Sequence, residues 1–121
     1  VPIEIENGYV SISKEWHGTS LELNLPMPIQ RVIAHQQVDT LRSKVAIERG
    51  PLVYAIETAD NPDGVLQQAL ADDTVLTTEY GTDLLNGITV ITNKQKTLTA
   101  IPYYIWGHRN IGEMTVWINR L

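Results

Sequence analysis

The sequence predicts an all-β domain, an antiparallel β-sandwich of jelly-roll-like type with roughly nine or ten strands, and three observations predict it. Short stretches alternate apolar with polar residues or are rich in β-branched residues, the pattern of half-buried strands. Turn formers interrupt them at spacings of roughly 8 to 12 residues, as in sandwiches and barrels. Nothing resembles the strand and helix alternation of a parallel sheet. At 121 residues the chain is near the commonest single-domain size, and two cores would each be left too little apolar surface, so residues 1–121 read as one domain.

The elements follow in order. Val10 and Ile12 alternate with Ser11 and Ser13, and Leu21, Leu23 and Leu25 alternate with Glu22 and Asn24, which puts each apolar set on one strand face until Pro26 and Pro28 stop pairing. Strands are predicted at Arg31–His35, at Lys44–Glu48 before the Gly50-Pro51 breaker, and at Leu52–Thr58. Asp60-Asn61-Pro62-Asp63-Gly64 is a turn, because Pro fixes φ while Asn, Asp and Gly tolerate left-handed backbone. Val65–Ala71 is compatible with a single helical turn or a ragged edge strand. Asp72-Asp73 opens a strand through Val75–Tyr80, and Asn86-Gly87 introduces Ile88–Thr92. Asn93-Lys94-Gln95-Lys96 is a polar turn before Thr97–Tyr104, and the final strand is Glu113–Ile118.

Charge and composition exclude several functions. Nine Lys and Arg against 14 Asp and Glu leave a formal charge of −5, with the basic residues scattered, so a phosphate backbone is repelled and no nucleic-acid partner is expected. No apolar run approaches the roughly 18 to 20 residues of a membrane-spanning helix, so no membrane partner is expected either. There is no Cys, which removes disulfides, thiolate nucleophiles and thiolate metal sites from this chain. That absence does not choose among bacterial cytoplasm, periplasm and secretion. The opening Val1-Pro2-Ile3-Glu4 and the close at Ile118-Asn119-Arg120-Leu121, inside a predicted strand, read as ends cut from a longer protein.

A glycosidase needs two carboxylates facing each other across the bond to be cleaved. Glu48, Glu57 and Glu113 are the candidates, but each lies at a strand end beside Arg49, Thr58 or Gly112, where a solvated or Arg-paired carboxylate is expected. His17, His35 and His108 are far apart in sequence and lack metal-ligand spacing, so backbone-bonded edge or core histidines are the expectation. Asp60–Gly64 and Asp72-Asp73 do not follow the ligand pattern of a calcium loop. Ser11, Ser13, Ser20 and Ser43 have no Gly-x-Ser-x-Gly context, and no Gly-rich loop could cradle a phosphate. No catalytic residue, cofactor site or metal site is assigned. With no Phe, the aromatic surface is five Tyr and three Trp. Trp16, Trp106 and Trp117 are expected in the core more than on a sugar platform, and Tyr103-Tyr104-Ile105-Trp106, read as a strand with rings on both faces, implies that both faces are covered.

Three segments together carry a family likeness. The first is Gly8-Tyr9-Val10, Lys14-Glu15-Trp16, Leu21-Glu22-Leu23, Leu25-Pro26-Met27-Pro28 and Arg31-Val32; the second is Lys44 through Tyr54, with its Arg49-Gly50-Pro51-Leu52-Val53-Tyr54 run. The third is Ala100-Ile101-Pro102-Tyr103-Tyr104-Ile105-Trp106-Gly107-His108-Arg109, completed by Gly112-Glu113-Met114-Thr115-Val116-Trp117. In joint order, over nearly the whole chain, they resemble the β-sandwich region of glycoside hydrolase family 127, the β-L-arabinofuranosidase-like proteins. The chain departs from the common pattern of that family at His108 and Asn110.

The resemblance implies a non-catalytic accessory sandwich that supports an (α/α)6 catalytic barrel elsewhere in the same polypeptide, or subunit contacts. In that family the barrel carries a cysteine nucleophile, a glutamate and a cysteine-bound zinc, and none of these positions maps onto this chain. Implied partners are the barrel, a second copy in a homodimer, and a plant-type arabinose-containing glycan. The candidate interface or sugar contacts are Arg49, Tyr54, Tyr104, Trp106 and Arg109. The alternative is a carbohydrate-binding module stacking sugars on exposed Trp and Tyr, with Trp16, Tyr80, Tyr103 and Trp106 as its rings.

Overall fold

A computed structural model describes residues 3–121. Val1 and Pro2, read above as part of a cut end, lie outside the described residues. The chain is nearly all β, with strands β1 (Glu4–Glu6), β2 (Tyr9–Ser11), β3 (Ile29–Val32), β4 (Lys44–Arg49), β5 (Leu52–Glu57), β6 (Ala69–Leu70), β7 (Leu76–Gly81), β8 (Ile88–Asn93), β9 (Thr99–Pro102), β10 (Met114–Thr115) and β11 (Ile118–Arg120). Single 3-10 turns stand at Asp39–Leu41 and Tyr103–Ile105. Among the described residues no helix is long and apolar enough to cross a membrane.

The body is one curled, sandwich-like sheet in the order β6-β11-β4-β5-β9-β8-β7, with β3 added on β4 and β10 on β5. The β4–β5 hairpin is its centre. Arg49 opposite Leu52 leaves Gly50-Pro51 as a two-residue turn, and the positive φ of Gly50 (54°) is the conformation that the first central position of such a hairpin favours in glycine. A side chain at Gly50 would also run into Met27, whose Cγ lies 2.9 Å from where a Cβ would stand. Thus the segment that leads into β3 is seated on this turn.

Alternation along the central strands sorts side chains onto two faces. Val45 and Ile47 of β4, Tyr54 and Ile56 of β5, Ile91 of β8, Ala100 of β9 and Ile118 of β11 meet in one buried cluster with Val65, Leu70 and Leu98. Ile88, Val90 and Ile101 point the opposite way and bury against Leu84, Leu85 and Ile105. Strands β8 and β9 are therefore covered on both faces, whereas β7 at the edge is mostly exposed. The Arg31 guanidinium donates to the carbonyls of Ala71 (3.1 Å) and Thr74, tying β3 to the loop before β7.

Several expectations are corrected. The all-β, sandwich-like class is as expected, with eleven short strands among the described residues, while the bounds of several elements differ. Leu21–Leu25 has the alternation of a strand but pairs with nothing, and its three leucines are exposed. A strand needs a neighbouring ladder to satisfy its backbone and a surface to bury its apolar face, and the described chain supplies neither. The strand expected at Arg31–His35 begins and ends earlier, at Ile29–Val32. Tyr103–Ile105 is a 3-10 turn after Pro102, not the end of a strand, so its rings lie outside the sheet and are exposed rather than covered on two sides. The expected Glu113–Ile118 strand breaks into β10 and β11, which pair with strands of opposite direction, β5 and β4. The chain bends between them at Val116-Trp117. Of Val65–Ala71 only Ala69–Leu70 forms an edge strand, parallel to β11. None of the three tryptophans is buried, and all three histidines are exposed.

Candidate functional site

The most constrained polar group of the body lies where β5 ends. Glu57 closes that strand, Asp60 follows in the next turn, and Arg109 reaches both from the long loop between β9 and β10. The guanidinium Nη1 donates to Asp60 Oδ1 at 2.7 Å, and Nη2 donates to Glu57 Oε1 at 2.6 Å and Asp60 Oδ2 at 2.5 Å. The second Glu57 oxygen accepts from the Gly107 amide at 3.1 Å. These side chains are largely withdrawn from water, 22% exposed for Arg109, 6% for Glu57 and 10% for Asp60. The bonds to Asp60 and then Glu57 outweigh the desolvation that opposes charge, and they push the guanidinium still further above its ordinary range. Arg109 Nε is buried without a partner, so the fork is used at its two outer nitrogens.

Backbone bonds complete the clamp. The Thr58 amide donates to the Glu113 carbonyl (3.0 Å), and the Glu113 amide donates to the Thr58 hydroxyl (2.9 Å). Buried Asn61 donates to the carbonyls of Glu57 (3.0 Å) and Thr99 (2.8 Å) and accepts from the Thr99 amide (2.9 Å). Both ends of the Tyr103–Gly112 loop are consequently held on a rigid frame.

That loop presents apolar groups to solvent. Tyr104 is 64% exposed, Trp106 39%, Tyr103 48%, and Ile111 is bare. The Tyr103 and Trp106 ring centroids are 6.3 Å apart with planes inclined by 50°. Tyr54 lies below this surface, 1% exposed, and its hydroxyl donates to the Thr89 carbonyl at 2.8 Å. Burial pushes its phenol up, and the Arg49 guanidinium beside the hydroxyl opposes that shift. Trp16 stands apart on the amino-terminal segment with Lys14 Nζ 5.4 Å from its ring centroid.

The five residues singled out in the sequence therefore separate into three kinds. Tyr104 and Trp106 are surface groups, Arg109 is a largely buried clamp on the loop that carries them, and Tyr54 is a core side chain of β5 with the Arg49 guanidinium near its hydroxyl. Glu57 is Arg-paired, although through Arg109 and not through a sequence neighbour. Asp60, Thr58 and Asn61 carry the clamp; their composition signals a strand end and a turn and does not reveal that Asn61 is buried or that Asp60 meets Arg109. Among the described residues no cluster of His, Cys, Asp and Glu is arranged to hold a metal ion.

Residues 29–119, which contain this clamp and the curled sheet up to, but not including, the last residue of β11, match the profile described as the glycoside hydrolase family 127 C-terminal domain. The chain belongs to glycoside hydrolase family 127. A curated relative is the Non-reducing end beta-L-arabinofuranosidase of Bifidobacterium longum subsp. longum, 30% identical over 96% of this chain and 22% of the relative. Two solved family 127 structures share the fold. One is a GH127 β-L-arabinofuranosidase from Geobacillus stearothermophilus T6, with TM-score 0.72 and 36% identity over 79% of this chain and 19% of that one. The other is the GH127 beta-arabinofuranosidase BT3674, with TM-score 0.72 and 34% identity over 78% of this chain and 17% of that one. This family 127 chain thus spans about a fifth of the length of the relatives it matches. The family profile begins at Ile29, where β3 begins, and leaves the exposed amino-terminal segment outside it.

Proposed function

We propose that this chain is a non-catalytic accessory domain of a family 127 glycoside hydrolase, holding the catalytic (α/α)6 barrel of the same polypeptide through its exposed loop and amino-terminal segment. The observation that carries this reading is the contrast between the clamp and what it presents. Buried ion pairs and three backbone-bonded residues fix a loop whose outward groups are Tyr103, Tyr104, Trp106 and Ile111. A rigid frame that shows water a group of large apolar side chains is the anatomy of a contact surface. The amino-terminal segment enters the body at the central hairpin, where Met27 packs on Gly50.

The Bifidobacterium longum relative is a non-reducing end beta-L-arabinofuranosidase, and the parent of this chain is proposed to act on the same class of glycan. The zinc-binding cysteines and the cysteine nucleophile expected of the family would come from the remaining polypeptide, because this chain contains no Cys. Within the chain Glu57 and Asp60 converge on one guanidinium instead of facing each other across an open cleft, so neither is placed for acid–base work on a sugar.

The test is to replace Tyr104 and Trp106 with Ser in the full-length parent and in the 121-residue chain. The expected result is a clear loss of thermal stability in the parent and little change in the isolated chain, where the rings already face water. Equal effects in both would overturn the assignment of this loop as the contact surface for the barrel. Release of nitrophenol from a nitrophenyl arabinofuranoside by the pure chain would overturn the non-catalytic assignment. The exposed Tyr103 and Trp106 pair favours one second reading, sugar binding, although planes inclined by 50° cannot both lie flat on one sugar face. Quenching of tryptophan fluorescence on titration with arabinan would raise that reading above the first.

A further inference from the structure

The dipeptide Asn-Gly occurs twice, at Asn7-Gly8 and Asn86-Gly87, with left-handed backbone at both sites but very different packing around them. We infer that Asn7 is a site of spontaneous conversion to aspartate and isoaspartate in the folded chain, and that the fold protects Asn86 from the same reaction. In this reaction the Gly amide nitrogen loses its proton and attacks the Asn side-chain carbonyl carbon. The new C–N bond closes a five-membered imide, and the bond to the side-chain nitrogen breaks, releasing ammonia. Water then adds to either imide carbonyl, giving Asp or a backbone lengthened through the side chain, and nothing is oxidised or reduced. The step needs a free Gly amide and an Asn able to swing its side chain over the following peptide.

At Asn86 the first condition fails, and the turn that carries it is braced by its neighbours. The Gly87 amide donates to the Leu84 carbonyl at 2.8 Å, so its nitrogen is engaged. Leu84 and Leu85, just before it, pack against buried Ile88, Val90 and Ile101, and the Tyr80 hydroxyl lies directly against Gly87. Opening this turn means disturbing the second core cluster.

Asn7 is held by much less. It sits with Gly8 at the tip of the β1–β2 hairpin, where Glu6 faces Tyr9 and both turn residues have positive φ, 51° and 81°, the signature of a two-residue primed turn. The hairpin consists of three residue pairs, is exposed at every residue, and joins no other strand. No atom approaches within 4 Å of where a Gly8 side chain would begin. A two-stranded hairpin without a covering face is marginal in water, so its turn opens locally at little free-energy cost.

The experiment holds the full 121-residue chain in warm, mildly alkaline buffer and follows both peptides by the mass gain of amide-to-acid exchange. An isoaspartyl-specific carboxyl methyltransferase labels the lengthened product. Asn7 is expected to convert at least about tenfold faster than Asn86 while the chain is folded, a ratio equivalent to ~1.4 kcal/mol of opening free energy. In strong denaturant the two rates should converge, because each Asn is followed by Gly. Equal rates in the folded chain, faster conversion at Asn86, or a tenfold ratio that persists in denaturant would each overturn the inference.

Discussion

Two hairpins of this chain are built on two-residue turns with a left-handed glycine, yet they have opposite fates. The β4–β5 hairpin turns at Gly50-Pro51, lies at the centre of the sheet, and places Val45, Ile47, Tyr54 and Ile56 in the main core. The β1–β2 hairpin turns at Asn7-Gly8 and leaves Ile5, Tyr9 and Val10 in water. Turn chemistry and alternation therefore specify that a hairpin forms; burial of one face decides how firmly it is held. The boundary between the two regimes coincides with Ile29, where β3 joins β4 and the family profile begins.

The largest effect that would break this contrast is expected at the clamp. Arg109→Ala leaves Glu57 and Asp60 withdrawn from water without their cation, and loss of one partner from a buried pair costs about 3–5 kcal/mol. Denaturant unfolding of the variant should show it. A loss below about 1 kcal/mol, the worth of a surface pair, would mean that the clamp is solvated and does not hold the loop.

A second comparison matches one apolar residue from each regime. Ile47→Ala empties part of the main cluster and should cost about 2–5 kcal/mol, whereas Leu23→Ala should stay within about 0.5 kcal/mol in this chain. The same Leu23 substitution in the full-length parent tests whether that segment becomes covered there. A large cost for Leu23 in the isolated chain would erase the distinction between the two regions.

An effect smaller than those of Arg109→Ala and Ile47→Ala is expected at Tyr54. Tyr54→Phe removes the bond to the Thr89 carbonyl and should cost about 1 kcal/mol near neutral pH. Because burial raises this phenol in the folded state, the stability linked to it is fully present below the unfolded value of about 10 and is lost as pH rises toward the higher folded value. The wild-type chain should therefore lose stability between neutral and strongly alkaline pH more steeply than Tyr54→Phe. Parallel curves for the two proteins would place the alkaline sensitivity elsewhere.

The sequence by itself determined the class of fold, the Gly50-Pro51 and Asn93–Lys96 turns and the strands of the core, because β4, β5, β8 and β9 carry their signals locally in alternation, β-branching and turn residues. It also carried the family, through segments whose order survives in the chain. It did not reveal which apolar alternations are buried: Leu21–Leu25 reads like β5 and stands in solvent, since a strand is made by its neighbours as much as by its own residues. Nor could it place Arg109 against Glu57 and Asp60, about fifty positions away, or turn the rings after Pro102 outward. Those outcomes depend on long-range pairing, on β10 docking to β5 and on the bend before β11, and only the tertiary structure brings such residues within hydrogen-bonding distance.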